Sequence, residues 1–430
     1  MKQLLTLLAA ATVGTTISPL TLNIAAINNT PTPNYITLMG KELYSGSSVR
    51  MSDTTAIVSS GRNQYYFFDS TKVNTSSKGL INLNKNGRFF RLSDTIAIFI
   101  DSSYQVYLFN STNVNNSSKG FTNLTQNYYS FHRLSDTTGI FYNPEKIKNW
   151  FFDLTTMTFT NLNIESYEFY FLSETSAILR TFTDETYLFD STKIDEANKG
   201  LFKFEAKPED KFEANYSFKR YVRMSDTTAI FWNSFGEAIW FDSTQVNNSS
   251  KGLTDLGQRV YQFYRLSDTT AIMSDLITDE MLYFDFNKLD DASHGFRNLE
   301  KKLTGFYSLS ETTGLFIEMR PYKGNFNTYF FDDTKLDDAS HGFTLIKNEA
   351  IVLVNRLSDT LAIFGIDSGS VTSVVPYSSV LFDATKVNDA SHGCLIIKTM
   401  SDFVSLTDTT GIFATAIINN HRSTFYFEYK

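Results

Sequence analysis

Nine carboxylates recur in one phrase of this 430-residue sequence. Variants of Arg-Leu-Ser-Asp-Thr-Thr-Ala-Ile-Phe place the acid at Asp53, Asp94, Asp136, Glu174, Asp226, Asp268, Glu311, Asp359 and Asp408. Acids in register could ring a channel and bind cations. Calcium, however, needs about six to eight oxygens converging on one point, and one carboxylate per copy does not supply them. Asp or Ser accepting backbone N–H bonds in a tight turn accounts for the same residues. An arginine precedes the acid by three at Arg50, Arg91, Arg133, Arg223, Arg265 and Arg356. Copies four, seven and nine have Phe171, Ser308 and Ser405 there, and copies four and seven also exchange Asp for Glu. The coincidence predicts an Arg–carboxylate contact, within or between copies, whose loss relaxes the demand for the shorter acid.

Other reactive residue types are also tied to the repeat. His294, His341 and His392 sit in Asp-Ala-Ser-His-Gly, three residues after Asp291, Asp338 and Asp389. Zinc needs about four ligands within about 2.0–2.3 Å of one centre. Histidines spaced one per copy, at the position of Lys78, Lys119, Lys199 and Lys251, read instead as solvated loop residues. Cys394 is the only cysteine and matches Phe121, Leu253, Phe296 and Phe343, so a small buried hydrophobe is expected and no intramolecular disulfide is possible. Asn116-Ser117-Ser118 and Asn248-Ser249-Ser250 are glycan acceptors in a eukaryotic secretory path and plain polar turns in a bacterium. No Gly-X-Ser-X-Gly elbow, His-Glu-X-X-His helix or phosphate loop occurs. No metal and no cofactor is expected.

Binding residues are sought where the repeat breaks, because residues that obey it build the scaffold. A second phrase, Tyr-Leu-Phe-Asp-Ser-Thr-Lys, follows each acid by 16 or 17 residues in units one to six, then by 21, 24 and 20 in the last three. The added length carries Arg320, Tyr322, Lys323 and Phe326; then Asp367 and Tyr377; then His421 and Arg422. Aromatic and arginine side chains on a raised lip are the usual anchors of an interface. A further insertion, Phe202–Lys219, is rich in Lys and Glu and is expected on the opposite face or rim.

The elements that must position these residues are strands. Acid-to-acid intervals run from 38 to 52 residues, the period of propeller blades rather than of helical solenoids. Each unit reads as four strands: a, the aromatic alternation before Ser-Asp; b, Thr-Ala-Ile-Phe; c, Tyr-Leu-Phe-Asp; and d, Gly-Leu-Thr-Asn-Leu. Three residues after the acid, all nine units have Ala or Gly, which predicts crowding near a central axis. Tyr35-Ile36-Thr37-Leu38 resembles a strand d with no unit before it, and the last unit stops after c. The expected fold is all-β: a propeller of about nine four-stranded blades, closed by the N-terminal strand completing the last blade. An open arc of the same units is the alternative.

Residues 1–26 have the order of a secretory signal peptide: Lys2, an apolar run from Leu4 to Val13, and small residues at Ala25-Ala26. Residues 27–33 read as a short linker and 34–430 as one repeat domain. The run is interrupted by Gly14 and Pro19 before a helix could span a bilayer, and no later apolar stretch reaches membrane length, so the mature chain is expected without a transmembrane segment. With 15% aromatic residues, 20% charged residues, a net charge of −8 and a pI near 5.3, the composition excludes a disordered chain and argues against nucleic-acid binding.

Met1-Lys-Gln-Leu-Leu-Thr-Leu-Leu8, together with paired motifs about every 42 residues, resembles the adhesion-related surface proteins of spiroplasmas with their sarpin repeats. That resemblance implies a secreted or cell-surface protein that contacts host cells. It supplies no binding residues, and the C-terminal membrane anchor of the family pattern does not follow Lys430, so a released form is expected. Tyr-Leu-Phe-Asp…Gly-Leu-Thr-Asn-Leu is more distantly similar to kelch blades, without their double glycine or tryptophan. The expected function is noncatalytic binding of a host surface protein or glycan. A propeller glycosidase and a structural repeat of an extracellular layer are the alternatives.

Overall fold

The computed structural model describes residues 34–429 except 40–42, 61–63, 144–147, 184, 205–219, 290, 292, 294, 303–304, 320–325, 368–377, 398–399 and 416–423. The signal segment 1–26 and the linker 27–33 therefore lie outside the described residues. The rest is all-β, with consecutive antiparallel four-stranded sheets resembling propeller blades. Eight hydrogen-bonded sheets form, seven of four strands and one of seven. Within unit three, strand a is Ser130–Arg133, b is Thr138–Asn143, c is Lys148–Asp153 and d is Thr158–Asn161, hydrogen-bonded in that order.

The seven-stranded sheet departs from the sequence reading. Strand d of unit five and strand a of unit six run together as Leu253–Arg265, although Gly257 within it has a φ of +65°. The sequence reading ends strand d at Leu256 and starts a separate strand a before the next Ser-Asp. The backbone instead bulges, the register with unit five shifting between Glu237 and Ile239.

The small residue of strand b has a concrete neighbour. In every unit it lies directly across from the phenylalanine of strand c: Ala97 faces Phe109, Gly139 faces Phe152, Ala271 faces Phe284 and Gly411 faces Phe427. All nine such phenylalanines, from Phe68 to Phe427, are fully buried. A strand-a ring closes the site from the other side, so a methyl on Gly139 would overlap Phe131. In the three glycine units the crowding expected near an axis thus comes from a strand-a ring, Phe131, Phe306 or Phe403, in the space a side chain would take. The cores are shared between units. One cluster joins Ile57 and Phe67 of unit one with Phe89, Ala97 and Phe109 of unit two, so each sheet buries both faces only when a neighbour is present.

Strand c ends in an aspartate that caps a short 3-10 turn. Asp69 accepts hydrogen bonds from the Thr71 amide at 3.1 Å and the Thr71 hydroxyl at 2.6 Å, and pairs with Lys72 at 2.8 Å. The return to strand d needs two consecutive left-handed residues, Lys78 at φ +51° and Gly79 at φ +74°. A side chain at Gly79 would strike the Asp69 carbonyl oxygen, which accounts for the glycine. His341 and His392 hold the same left-handed position as Lys78, while His294 lies outside the described residues. The position is not simply solvated. Lys199 donates to the Asn161 carbonyl of the preceding unit at 2.6 Å, and His341 comes within 3.7 Å of Glu300 of the preceding unit. Cys394 opens strand d of unit eight and is half-buried.

Candidate functional site

The antiparallel order a-b-c-d sorts the connections by end. The a–b turns and the c–d turns emerge at one end of each sheet; the b–c and d–a connections emerge at the other. The Lys/Glu-rich insertion leaves strand d of unit four, Leu201–Phe204, and enters strand a of unit five, Arg220–Arg223. Its strand ends thus belong to the b–c end, which removes the opposite face from the expected pair of opposite face or rim.

At the a–b end the repeated acids do structural work. All six expected pairs form within their units: Arg50–Asp53 and Arg91–Asp94 at 2.6 Å, with Arg133–Asp136, Arg223–Asp226, Arg265–Asp268 and Arg356–Asp359. The serine before the acid, threonine in unit nine, orders the turn. Ser135 Oγ accepts from the Thr137 and Thr138 amides at 3.1 and 3.0 Å.

At the b–c end the described turns do something the repeat does not require. Each is opened by a polar cap. Asp101 accepts from the Ser103 and Gln105 amides at 2.9 and 3.0 Å; Asn233 accepts from Phe235 and Glu237 at 2.9 and 3.0 Å. Asp275 accepts from Ile277 and Thr278 at 2.7 and 2.8 Å, and Thr181 Oγ1 accepts from Glu185 at 3.1 Å. The caps satisfy the backbone, and each tip then carries a large apolar side chain into solvent: Tyr104 (44% exposed), Phe182 (57%), Phe235 (52%) and Ile277 (72%). These lie on units two, four, five and six.

Aromatic partners and arginines extend the tips. The Tyr104 ring lies 5.5 Å from Tyr129, and the Arg88 guanidinium sits 5.0 Å over Tyr129. Phe182 stacks on Tyr167 at 4.8 Å, backed by the Arg180 guanidinium at 5.6 Å. Arg180 is buried and held by Glu168 at 2.9 Å. Arg220 covers exposed Tyr261 at 4.9 Å. Beside the Phe182 turn, hydrogen bonds from Lys203 and Tyr187 hold the Glu185 carboxyl below its usual range. Tyr104 itself has a φ of +66°, where unit five has Gly236 and unit six has Asp279. A tyrosine there costs backbone energy that glycine avoids, so its exposed ring is not explained by stability. Flat rings backed by guanidinium groups suit the C–H faces of sugars and the apolar side chains of proteins.

The residues singled out from sequence belong to this same end but mostly escape description. Arg320, Tyr322, Lys323, Tyr377, His421 and Arg422 lie outside the described residues. Phe326 opens strand c of unit seven opposite Met319, and Asp367 closes strand b of unit eight opposite Ala350. Sequence reasoning missed Tyr104, Phe182, Phe235 and Ile277. The available signal was an apolar residue one to three places after an Asp, Asn or Thr turn opener, as in Asp275-Leu276-Ile277.

No family model and no curated protein matches the sequence. Solved structures do match in fold. The crystal structure of the eukaryotic initiation factor aligns with a TM-score of 0.54 and 9% identity over 85% of this chain and 89% of that chain. The C-terminal WD40 domain of Sif2 aligns with a TM-score of 0.43 and 8% identity over 92% of this chain and 99% of its own. The likeness to the initiation factor is one of fold alone, that of a β-propeller.

Proposed function

We propose that this chain is a secreted or surface-associated, noncatalytic binding protein, an adhesin, whose b–c face recognises a host surface protein or glycan. The observation that carries the reading is that four polar-capped b–c turns, on units two, four, five and six, each present an exposed apolar side chain at the same end of their sheets. The long b–c connections of units seven to nine leave from the same ends of their sheets, so Arg320, Tyr322, Lys323, Phe326, Asp367, Tyr377, His421 and Arg422 are proposed to extend that face. The secreted address rests on the signal-like segment 1–26, and the host contact on the spiroplasma resemblance.

The scaffold proposed for this face is a closed ring of nine blades. Two observations support closure. Asn34–Met39 pairs antiparallel with Thr424–Glu428, with Tyr35 opposite Phe427. Leu38, Ala56 and Phe68 near the start of the chain share a core cluster with Leu406 and Ile412 near its end. A ninth blade follows if the seven-stranded sheet is divided within Leu253–Arg265.

The test is saturable binding of the purified chain to host cells, before and after deglycosylation of those cells. Replacing Tyr104, Phe235 and Ile277 with alanine together is expected to weaken binding at least about thirtyfold, the effect of losing one strong anchor, with the melting temperature nearly unchanged. Undiminished binding by this variant overturns the face assignment. Hydrolysis of a glycan panel by the chain overturns the noncatalytic reading.

A further inference from the structure

The opposite, a–b face carries two cavities, and the repeat itself indicates what they take. One, of about 980 Å³, is lined by Arg265, Ser308, Glu311, Lys335, Arg356 and Asp359, among others. The second, of about 590 Å³, includes Arg50, Arg356, Asp359, Ser405 and Asp408. The first spans units six to eight and takes in Ser308 and Glu311, and the second spans units eight, nine and one and takes in Ser405 and Asp408; units seven and nine are the two in which serine replaces the arginine before the turn acid.

Units with arginine show where a guanidinium belongs. Arg223 and Arg265 each donate from Nε to the carbonyl of the turn serine, Ser225 or Ser267, at 3.2 Å, and from Nη2 to the acid. In unit seven the Ser308 hydroxyl donates to the equivalent Ser310 carbonyl at 3.0 Å; in unit nine Ser405 donates to Thr407 at 3.1 Å. Serine thus reproduces the carbonyl contact and leaves the carboxylate contact unmade. The lining cations are already engaged: Arg50 with Asp53, Arg265 with Asp268, Lys335 with Asp332 at 2.8 Å, and Arg356 with Asp359. Glu311 and Asp408 make no ion pair among the described residues. Unit four, the other unit without the arginine, differs because Phe171 is covered by the Arg223 guanidinium at 4.9 Å.

We infer that Glu311 and Asp408 form a paired site for cationic side chains, filled by two arginines or lysines of a basic peptide on a partner. Each incoming cation takes the place that an internal arginine holds in six other units. Both cavities border the Arg356–Asp359 pair, so one peptide can reach both. The chain's net charge of −8 favours the approach of a basic partner. This proposal concerns the face opposite the turn tips and stands or falls apart from the adhesin reading.

The probe is a fluorescent peptide bearing two arginines, titrated into the purified chain at low and moderate salt, with spermidine as a second arm. Glu311→Gln and Asp408→Asn are each expected to weaken peptide binding about three- to fivefold, as for a partly exposed ion pair, with affinity falling as salt rises. Ser308→Arg and Ser405→Arg rebuild the internal pairs and are expected to block binding. Glu174→Gln, in unit four, is expected to leave it unchanged. Circular dichroism checks that each variant is folded, and the isosteric acid variants test the site if an arginine variant fails to fold. Competition by spermidine assigns the site to cations generally; its failure assigns it to the peptide's guanidinium groups. Absence of peptide binding, or equal binding to the parent and the Glu311→Gln/Asp408→Asn chain, overturns the proposal.

Discussion

On strand a of unit three, His132 stacks on Phe169 of unit four with ring centroids 4.3 Å apart. Desolvation between the two sheets lowers its pKa from 6.5 to about 4, and because the residue is exposed at the sheet edge solvent screens part of that effect. The unfolded chain therefore takes up this proton first. Stability contributed by neutral His132 is complete above pH 6.5 and declines as the pH falls toward about 4. Chemical denaturation at pH 7 and pH 5 should show a loss in the parent that is smaller in His132→Phe; an equal loss in both removes His132 as the cause. A lower window belongs to strand-c caps. Burial tends to raise the carboxyls of Asp69 and Asp332, but hydrogen bonds from their lysine and threonine partners outweigh it and hold both below 3.8. Their contribution is present above 3.8 and is lost as the pH drops through the lowered values. The six arginine–acid pairs stand mostly in solvent and should each contribute only about 0–1 kcal/mol.

At the scale of strands, the rule is a small residue on b opposite phenylalanine on c. Gly139→Ala adds one methyl against the Phe131 ring in a fully packed site. The expected cost is about 1–3 kcal/mol, measured by denaturant unfolding; a neutral result would mean that strand a yields more readily than its burial suggests. Most of this level was legible in the sequence. The paired phrases, the Ala/Gly position and the Asp-Ser-Thr-Lys caps each mark a position where backbone geometry leaves few choices. What stayed hidden has physical reasons. Leu253–Arg265 continues through Gly257 because a bulge joins two strands that the four-strand reading keeps apart. The turn tips escaped because they share exposure rather than residue type: Tyr104, Phe182, Phe235 and Ile277 have no common letter for a repeat to reveal. The cross-unit contacts of the c–d turns stayed hidden because Asn161, which Lys199 reaches, and Glu300, which His341 approaches, sit in the preceding unit. The lengths that drew attention to Arg320, Tyr377 and His421 mark where the chain departs from its neighbours, without showing what it does there.

For the whole molecule, the decisive joint is Asn34–Met39 against Thr424–Glu428. Deleting residues 34–39 should expose strand c of the last unit as an unpaired edge. The expected outcome is a lower melting temperature and self-association by light scattering; a monomer of unchanged stability would sink the closure argument. The direction of that pairing has a mechanical consequence as well. Asn34 lies opposite Glu428 and Met39 opposite Thr424, so residues 34 and 428 sit at the same end of the joint. Tension applied between them peels the strands apart one hydrogen bond at a time. Tension entering through residue 428 alone, and resisted at the b–c face, drags the last strand lengthwise between two neighbours, so several bonds must fail together. This joint should therefore part easily when residues 34 and 428 are pulled apart and hold firmly when force enters through residue 428 alone.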